Sequence, residues 1–260
     1  MKPCPFLSHE HPIRFAHRGG SLLWPENTLT AFQGALDLGY RYIETDVHAT
    51  RDGVIFIFHD DTLERVTEGT GNVHDHDWED LKKLDAAYYF KPEAGYPLRH
   101  RGIRIPTLEE AMAEFPDLLF NIEVKQPGIE SLLAEFIFRR GYEDRVLVAS
   151  FHDGTLRRFR KIAGDRVATS TGLWETTAFW ATSRIHKIFR TPARAIQVPV
   201  RMKGIIVVDR HTVETAHTAG KQVHIWTINE PDEMRRLLDL GVDGIMTDRP
   251  DLLNEVMNCE

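Results

Sequence analysis

At 260 residues, 42% of them hydrophobic, the chain can bury the core of one α/β barrel domain or of two average domains. A net charge of −7 with no basic run argues against nucleic acid as a partner, because backbone phosphates are held by clustered Lys and Arg. An anionic substrate stays open, since a bound cation inverts the local sign. The first fifteen residues lack a signal-like apolar stretch and no run reaches about 18 apolar residues, so a soluble, cytoplasmic protein without a transmembrane segment is expected. Cys4 and Cys259, one in each tail, are read as unpaired thiols.

In chain order, strands are predicted at 13–17, 42–47, 54–58, 119–124, 146–150, 166–170, 195–198, 223–228 and 244–247. Most are short, continuous and β-branched, as strands covered on both faces are. Between them lie helices with recognisable ends. Asn27 is placed to cap a helix carrying Leu29, Phe32 and Leu36 on one face and closed by Gly39. Thr107 and Glu110 have capping-box spacing, and that helix stops before Pro116. Asp153 caps 154–163 ahead of Gly164, Thr212 opens a helix ended by Gly220, and Pro231 begins one terminated by Gly241. The alternation means an α/β fold with a parallel sheet, either a TIM (β/α)₈ barrel or an open doubly wound fold. The doubly wound reading lacks its main sign, because HRGGSLLWPEN after the first strand has no dinucleotide-type glycine spacing.

Nine strands is one too many for the barrel. Only Ala49 to Gly53 separates 42–47 from 54–58, too short for a parallel crossover, and Arg51-Asp52-Gly53 is good turn chemistry. The segment 42–58 is therefore read as a hairpin that returns His59 towards Glu44 and Asp46. Residues 62–105, rich in charge, Gly, Pro and Tyr, form an insertion with a short helix capped by Asp77. No linker divides the chain, so 1–260 is read as a single domain with its core at 13–254.

Glu44 and Asp46 stand two apart in an apolar run and so share one strand face. If that face is buried, a cation, a proton or an arginine must compensate them. Glu123 and Lys125 repeat the pattern. Three carboxylates without Cys or His suit Mg²⁺ or Ca²⁺ better than zinc. His17 and His59 each end an apolar strand, where barrel active sites lie, and can divide general acid and base roles. Arg18 adds a donor fork suited to phosphate. Together these groups describe metal-assisted phosphoryl transfer. His48 is set aside near the turn, and His74 and His76 are read as surface residues of the insertion. Trp226, on one strand face with His224 and Ile228, is a candidate wall of the substrate pocket. Residues 173–190 form a basic amphipathic helix with Trp174, Ala178, Ala181, Ile185, Ile188 and Phe189 near one face. It covers the barrel, packs against a second subunit in a homo-oligomer, or makes a peripheral membrane contact.

HRG at 17–19, PENT at 25–28, E-x-D at 44–46, T-x-D-G at 50–53, HD at 59–60 and E-x-K at 123–125 resemble the glycerophosphodiester phosphodiesterases. The closing VHIWTIN…GVDGIMTDRP is similar to that family's last strands, so the resemblance spans 13–254. It implies a distorted TIM barrel, with an excursion near its mouth, that hydrolyses glycerophosphodiesters to sn-glycerol 3-phosphate and an alcohol. It also implies His17 and His59 as the acid/base pair and Glu44, Asp46 and Glu123 as ligands of Mg²⁺ or Ca²⁺. Arg18 and Lys125 would contact phosphate, with Glu26 and Asn27 shaping the loop. Two other readings stand beside this one: a lysophospholipase D-type hydrolase of lysophospholipids, and a non-catalytic phosphodiester-binding barrel.

Overall fold

The structure, a computed structural model, describes residues 4–8, 12–185, 187, 189–202 and 204–258; Cys259 and Ile188 lie outside these. Eight strands run parallel around a barrel: β1 (Ile13–His17), β2 (Tyr42–Ala49), β4 (Leu119–Val124), β5 (Val146–Ala149), β6 (Ala168–Thr169), β7 (Ala195–Val198), β10 (Gln222–Ile225) and β11 (Gly244–Thr247). β1 sits between β2 and β11, and the ring is completed by a bridge from Ser170 to Ala195. The surplus strand is β3 (Ile55–Ile57), antiparallel to β2 with Val47 opposite Ile57, so the hairpin is as expected. β8 (Arg201–Met202) and β9 (Ile205–Ile206) form a small separate ladder.

Helices α1 (Leu29–Asp37), α3 (Leu108–Glu114), α4 (Glu130–Arg140), α5 (Asp153–Ala163), α6 (Leu173–Ser183), α7 (Arg210–Thr218), α8 (Pro231–Leu240) and α9 (Pro250–Asn258) punctuate the strands, with the short α2 (Trp78–Leu81) in the insertion. The two-residue period of the strands sorts their side chains. Ile43, Val47, Ile122, Val124 and Val148 point outward and join the core against the helices. Phe15, Tyr42, Leu119, Leu147, Ala168 and Met246 point inward and, with Phe6, fill the amino-terminal end of the lumen. One layer up, Gln197 donates to Asn121 at 2.8 Å and lies 3.2 Å from His224 Nδ1. The lumen thus runs from an apolar floor through amides to charge at the carboxyl ends of the strands. The insertion shares a small core with the hairpin, Leu63, Val73, Leu81 and Ile105 packing on Phe56 and Phe58.

Several helix starts differ from expectation. Thr28, not Asn27, caps α1, because the Asn27 amide is taken by Asp46 and Thr45. Asp153 begins α5, and its carboxylate receives the Trp174 N–H at the start of α6 instead. Asp209 caps α7 through the Thr212 N–H. The Thr107–Glu110 capping box, Pro231 in a first turn and Gly241 in the left-handed conformation are found. The 166–170 strand shrinks to β6, and the helix foreseen over 173–190 ends at Ser183. Its buried residues are Thr176, Phe179 and Ser183, while Trp174, Ala181 and Ile185 face solvent. His74 is half-buried against His48 rather than a surface residue.

Candidate active site

β1, β2 and β4 lie side by side, and parallel register does the assembly. His17 pairs with Glu44, and Asp46 with Glu123. Each residue points into the lumen because it stands two or four places beyond an inward apolar residue. His17 Nε2 lies 3.7 Å from Glu44. After His17 the chain turns sharply through Arg18, Gly19 and Gly20, all at positive φ. At Gly19 a Cβ would meet Ala31 of α1 at 2.6 Å, so glycine is required there. The turn brings Arg18 back over the mouth, with its Nε 3.3 Å from Asp46 and an Nη 2.9 Å from Glu26. From the hairpin, the Phe58 N–H donates to the Asp46 carbonyl at 3.0 Å, which sets His59 beside Asp46.

One oxygen from each of Glu44, Asp46 and Glu123 lies within 4.8 Å of the others. Lys125 Nζ bridges two of them, at 3.0 Å from Asp46 and 3.0 Å from Glu123. Glu44 has no Lys or Arg within ion-pair distance among the described residues. Burial, then repulsion from Asp46, pushes its pKa well above the usual carboxylate range. Burial opposes the charge on Asp46 too, but Lys125 and Arg18 outweigh it and hold its pKa below normal. An all-oxygen set, two members buried and one half-buried, in which Glu44 lacks a Lys or Arg partner among the described residues, fits a hard divalent cation.

Each imidazole is held by a carboxylate on Nδ1. His17 Nδ1 is 2.6 Å from Asp248, which also receives Ser21 Oγ at 2.6 Å and Asn229 Nδ2 at 2.9 Å. His59 Nδ1 is 2.6 Å from Asp60, which receives Arg65 Nε at 2.5 Å. Arg65 also forks onto Glu26 at 2.8 and 2.7 Å, so Arg18 and Arg65 converge on one carboxylate. Burial disfavours charge on His17, but Glu44 and Asp248 outweigh it and raise its pKa. At His59 burial prevails over Asp46 and Asp60, and the pKa falls. Burial also opposes charge on Asp248, yet hydrogen bonds from His17 and Ser21 bring it down to about 2.

These groups border a cavity of about 310 Å³. Its polar wall is His17, Arg18, Glu44, His59, Glu123 and Lys125, and Asp46 lies beneath that wall, 1% exposed. Trp226 borders the cavity too, with Leu173, Val198, Met202 and Phe151, whose ring lies 5.9 Å from Lys125 Nζ. The rings of Phe151 and Trp226 meet edge to face at 5.4 Å. β10 ends at Ile225, so only His224 and Trp226 share the lumen side, and Ile228 turns out to the helix-packing core. His48, in phase with Asp46, is buried against Phe56 and does not border the cavity. Asp248, Asp60 and Arg65 were not singled out from sequence. An acid following a strand in MTDRP and the second residue of HD were the available signals; Arg65 had none.

The fold and the mouth define a TIM barrel of the enzyme type, with its polar groups gathered at the carboxyl ends of the strands. The chain belongs to the Glycerophosphoryl diester phosphodiesterase family, whose sequence profile matches residues 17–252. It is 39% identical to a probable glycerophosphodiester phosphodiesterase 2 of Mycobacterium tuberculosis, over 97% of this chain and 93% of that one. It is 35% identical to a glycerophosphodiester phosphodiesterase of Bacillus altitudinis, over 91% of this chain and 94% of the relative. It also resembles the structure of an Oleispira antarctica phosphodiesterase in complex with the product sn-glycerol-3-phosphate. There the TM-score is 0.78 at 26% identity, covering 95% of this chain and 97% of the other. No helix among the described residues is long and apolar enough to cross a membrane.

Proposed function

We propose that the chain hydrolyses glycerophosphodiesters to sn-glycerol 3-phosphate and an alcohol, using a divalent cation and two histidines. One observation carries this reading: three carboxylates, two buried and one half-buried, converge within 4.8 Å at a mouth flanked by two carboxylate-supported imidazoles. The relatives' names and the product held by the similar structure support the substrate class. Glu44, Asp46 and Glu123 would hold Mg²⁺ or Ca²⁺, which when bound supplies Lewis-acid stabilisation of charge on the phosphate.

Arg18 and Lys125 supply fixed positive charge for the remaining phosphate oxygens. One imidazole Nε2 takes the proton from the nucleophile, either water or the glycerol 2-hydroxyl, the latter giving a cyclic phosphate that a water molecule then opens to sn-glycerol 3-phosphate. The other gives its proton to the departing alkoxide as the P–O bond breaks. Asp248 and Asp60 hold the rings in the tautomer that presents Nε2. Phe151 and Trp226 pack against the organic part of the substrate. The test is release of sn-glycerol 3-phosphate from glycerophosphocholine by wild type, His17→Ala and His59→Ala. Loss in both variants with folding retained supports the scheme, and full activity in either sinks it.

The apolar wall of Phe151, Leu173 and Met202 favours a second reading, hydrolysis of a lysophospholipid whose acyl chain follows that wall. Turnover of glycerophosphocholine against lysophosphatidylcholine separates the two, and preference for the lipid would replace the first.

A further inference from the structure

Beyond the cavity, the apolar wall continues into surface that neither the fold nor the proposed chemistry uses. Next to Leu173, Trp174 is 63% exposed, its ring 5.4 Å from Phe189. Met202 lines the cavity, and its cross-strand partner in the β8–β9 ladder, Ile205, is 53% exposed. Ile206 and Ile185 are exposed as well. Among the described residues, five of the ten exposed large hydrophobic ones therefore fall between 173 and 206, too concentrated for scattered surface apolar residues. The same stretch is basic in an acidic protein. Residues 173–210 hold seven Lys and Arg against Glu175 and Asp209. Both acids are already ion-paired, Glu175 with Arg160 and Asp209 with Arg184. Lys187, Arg190 and Arg210 are exposed.

We propose that this rim seats the protein on an anionic lipid surface, with Trp174 and Ile205 entering the headgroup region and the active-site mouth opening beside them. Exposed tryptophan and isoleucine flanked by Lys and Arg have the chemistry of an interfacial anchor. A second copy of this chain would cover the same apolar residues. Across a two-fold axis, however, it would set the basic surround against itself, whereas an anionic bilayer complements it. The inference concerns the mouth assigned above to hydrolysis, but binding is read without turnover, so either idea can fail alone.

The test is co-sedimentation of the full chain with phosphatidylcholine vesicles, with and without phosphatidylglycerol. Wild type should bind the phosphatidylglycerol vesicles and be released by salt. The double variants Trp174→Ser/Ile205→Ser and Lys187→Glu/Arg190→Glu should each bind at least about tenfold more weakly. Both should hydrolyse soluble glycerophosphocholine as wild type does. Absent wild-type binding, equal binding by the variants, or equal binding to phosphatidylcholine alone would overturn the proposal. So would self-association that Trp174→Ser/Ile205→Ser abolishes without any vesicle binding, which would assign the rim to a second copy.

Discussion

The two walls of the mouth are made by different physics. β1, β2, the hairpin and β4 supply the charged wall, all within the first 125 residues, and β11 adds Asp248 because the closed barrel places it next to β1. The segments from β5 to β10 supply the apolar wall of Phe151, Leu173, Val198, Met202 and Trp226. A buried charge is costly without partners, so each charged group comes with donors or acceptors that fix its position. Apolar contact is non-directional and tolerates exchange. One wall is therefore suited to a fixed reaction, and the other to whatever organic group the phosphate carries.

The largest expected effect lies on the charged wall. His17→Ala or His59→Ala should lower kcat by roughly 10²- to 10⁴-fold, read by sn-glycerol 3-phosphate release with the circular dichroism spectrum unchanged. Loss confined to KM would mean that the imidazoles only bind. Next come the groups that position His59. Asp60→Asn and Arg65→Ala should reduce kcat by up to about a hundredfold with little change in KM. Arg65→Lys should not rescue fully, since one ammonium cannot reproduce the two-pronged contact with Glu26 while also donating to Asp60.

Asp248 tests the wall through stability. Its pKa falls from 3.8 to about 2 on folding, so its contribution is fully present above about pH 4. That contribution is lost as pH drops through 2. Urea unfolding of wild type and Asp248→Asn should show a gap of about 2 kcal/mol at pH 5 that closes towards pH 2. A gap independent of pH would contradict the ion-paired geometry. The smallest effects belong to the apolar wall. Phe151→Ala and Leu173→Ala should change KM by less than about tenfold and shift the ratio of lysophosphatidylcholine to glycerophosphocholine turnover. A collapse of kcat there would erase the distinction between the walls.

The same contrast explains what the sequence disclosed. Glu44, Asp46, Glu123 and Lys125 stood out because charge two apart inside apolar strands has no place in a core, and parallel register does gather them. The hairpin was legible because too few residues separate β2 from β3 for a parallel crossover. Arg65 and Asp248 were hidden because their partners are remote along the chain, Glu26 for Arg65 and His17 for Asp248, whereas Asp60 was passed over although its partner is the adjacent His59. Asn27 looked like a helix cap until Asp46 claimed its amide. The apolar wall was least legible: Phe151 and Leu173, at element ends, were not singled out, and only the closed barrel shows them facing the cavity. The face assigned to 173–190 failed because the helix ends at Ser183 and packs through Phe179.

The central claim is that Glu44, Asp46 and Glu123 hold a cation on which phosphodiester hydrolysis depends. The direct measurement follows sn-glycerol 3-phosphate release from glycerophosphocholine after chelation, with metal content checked, and again after addition of Mg²⁺ or Ca²⁺. Activity should vanish on metal removal, return with one of the two ions, and fail to return in Glu44→Gln. Undiminished hydrolysis by verified metal-free protein would contradict the account.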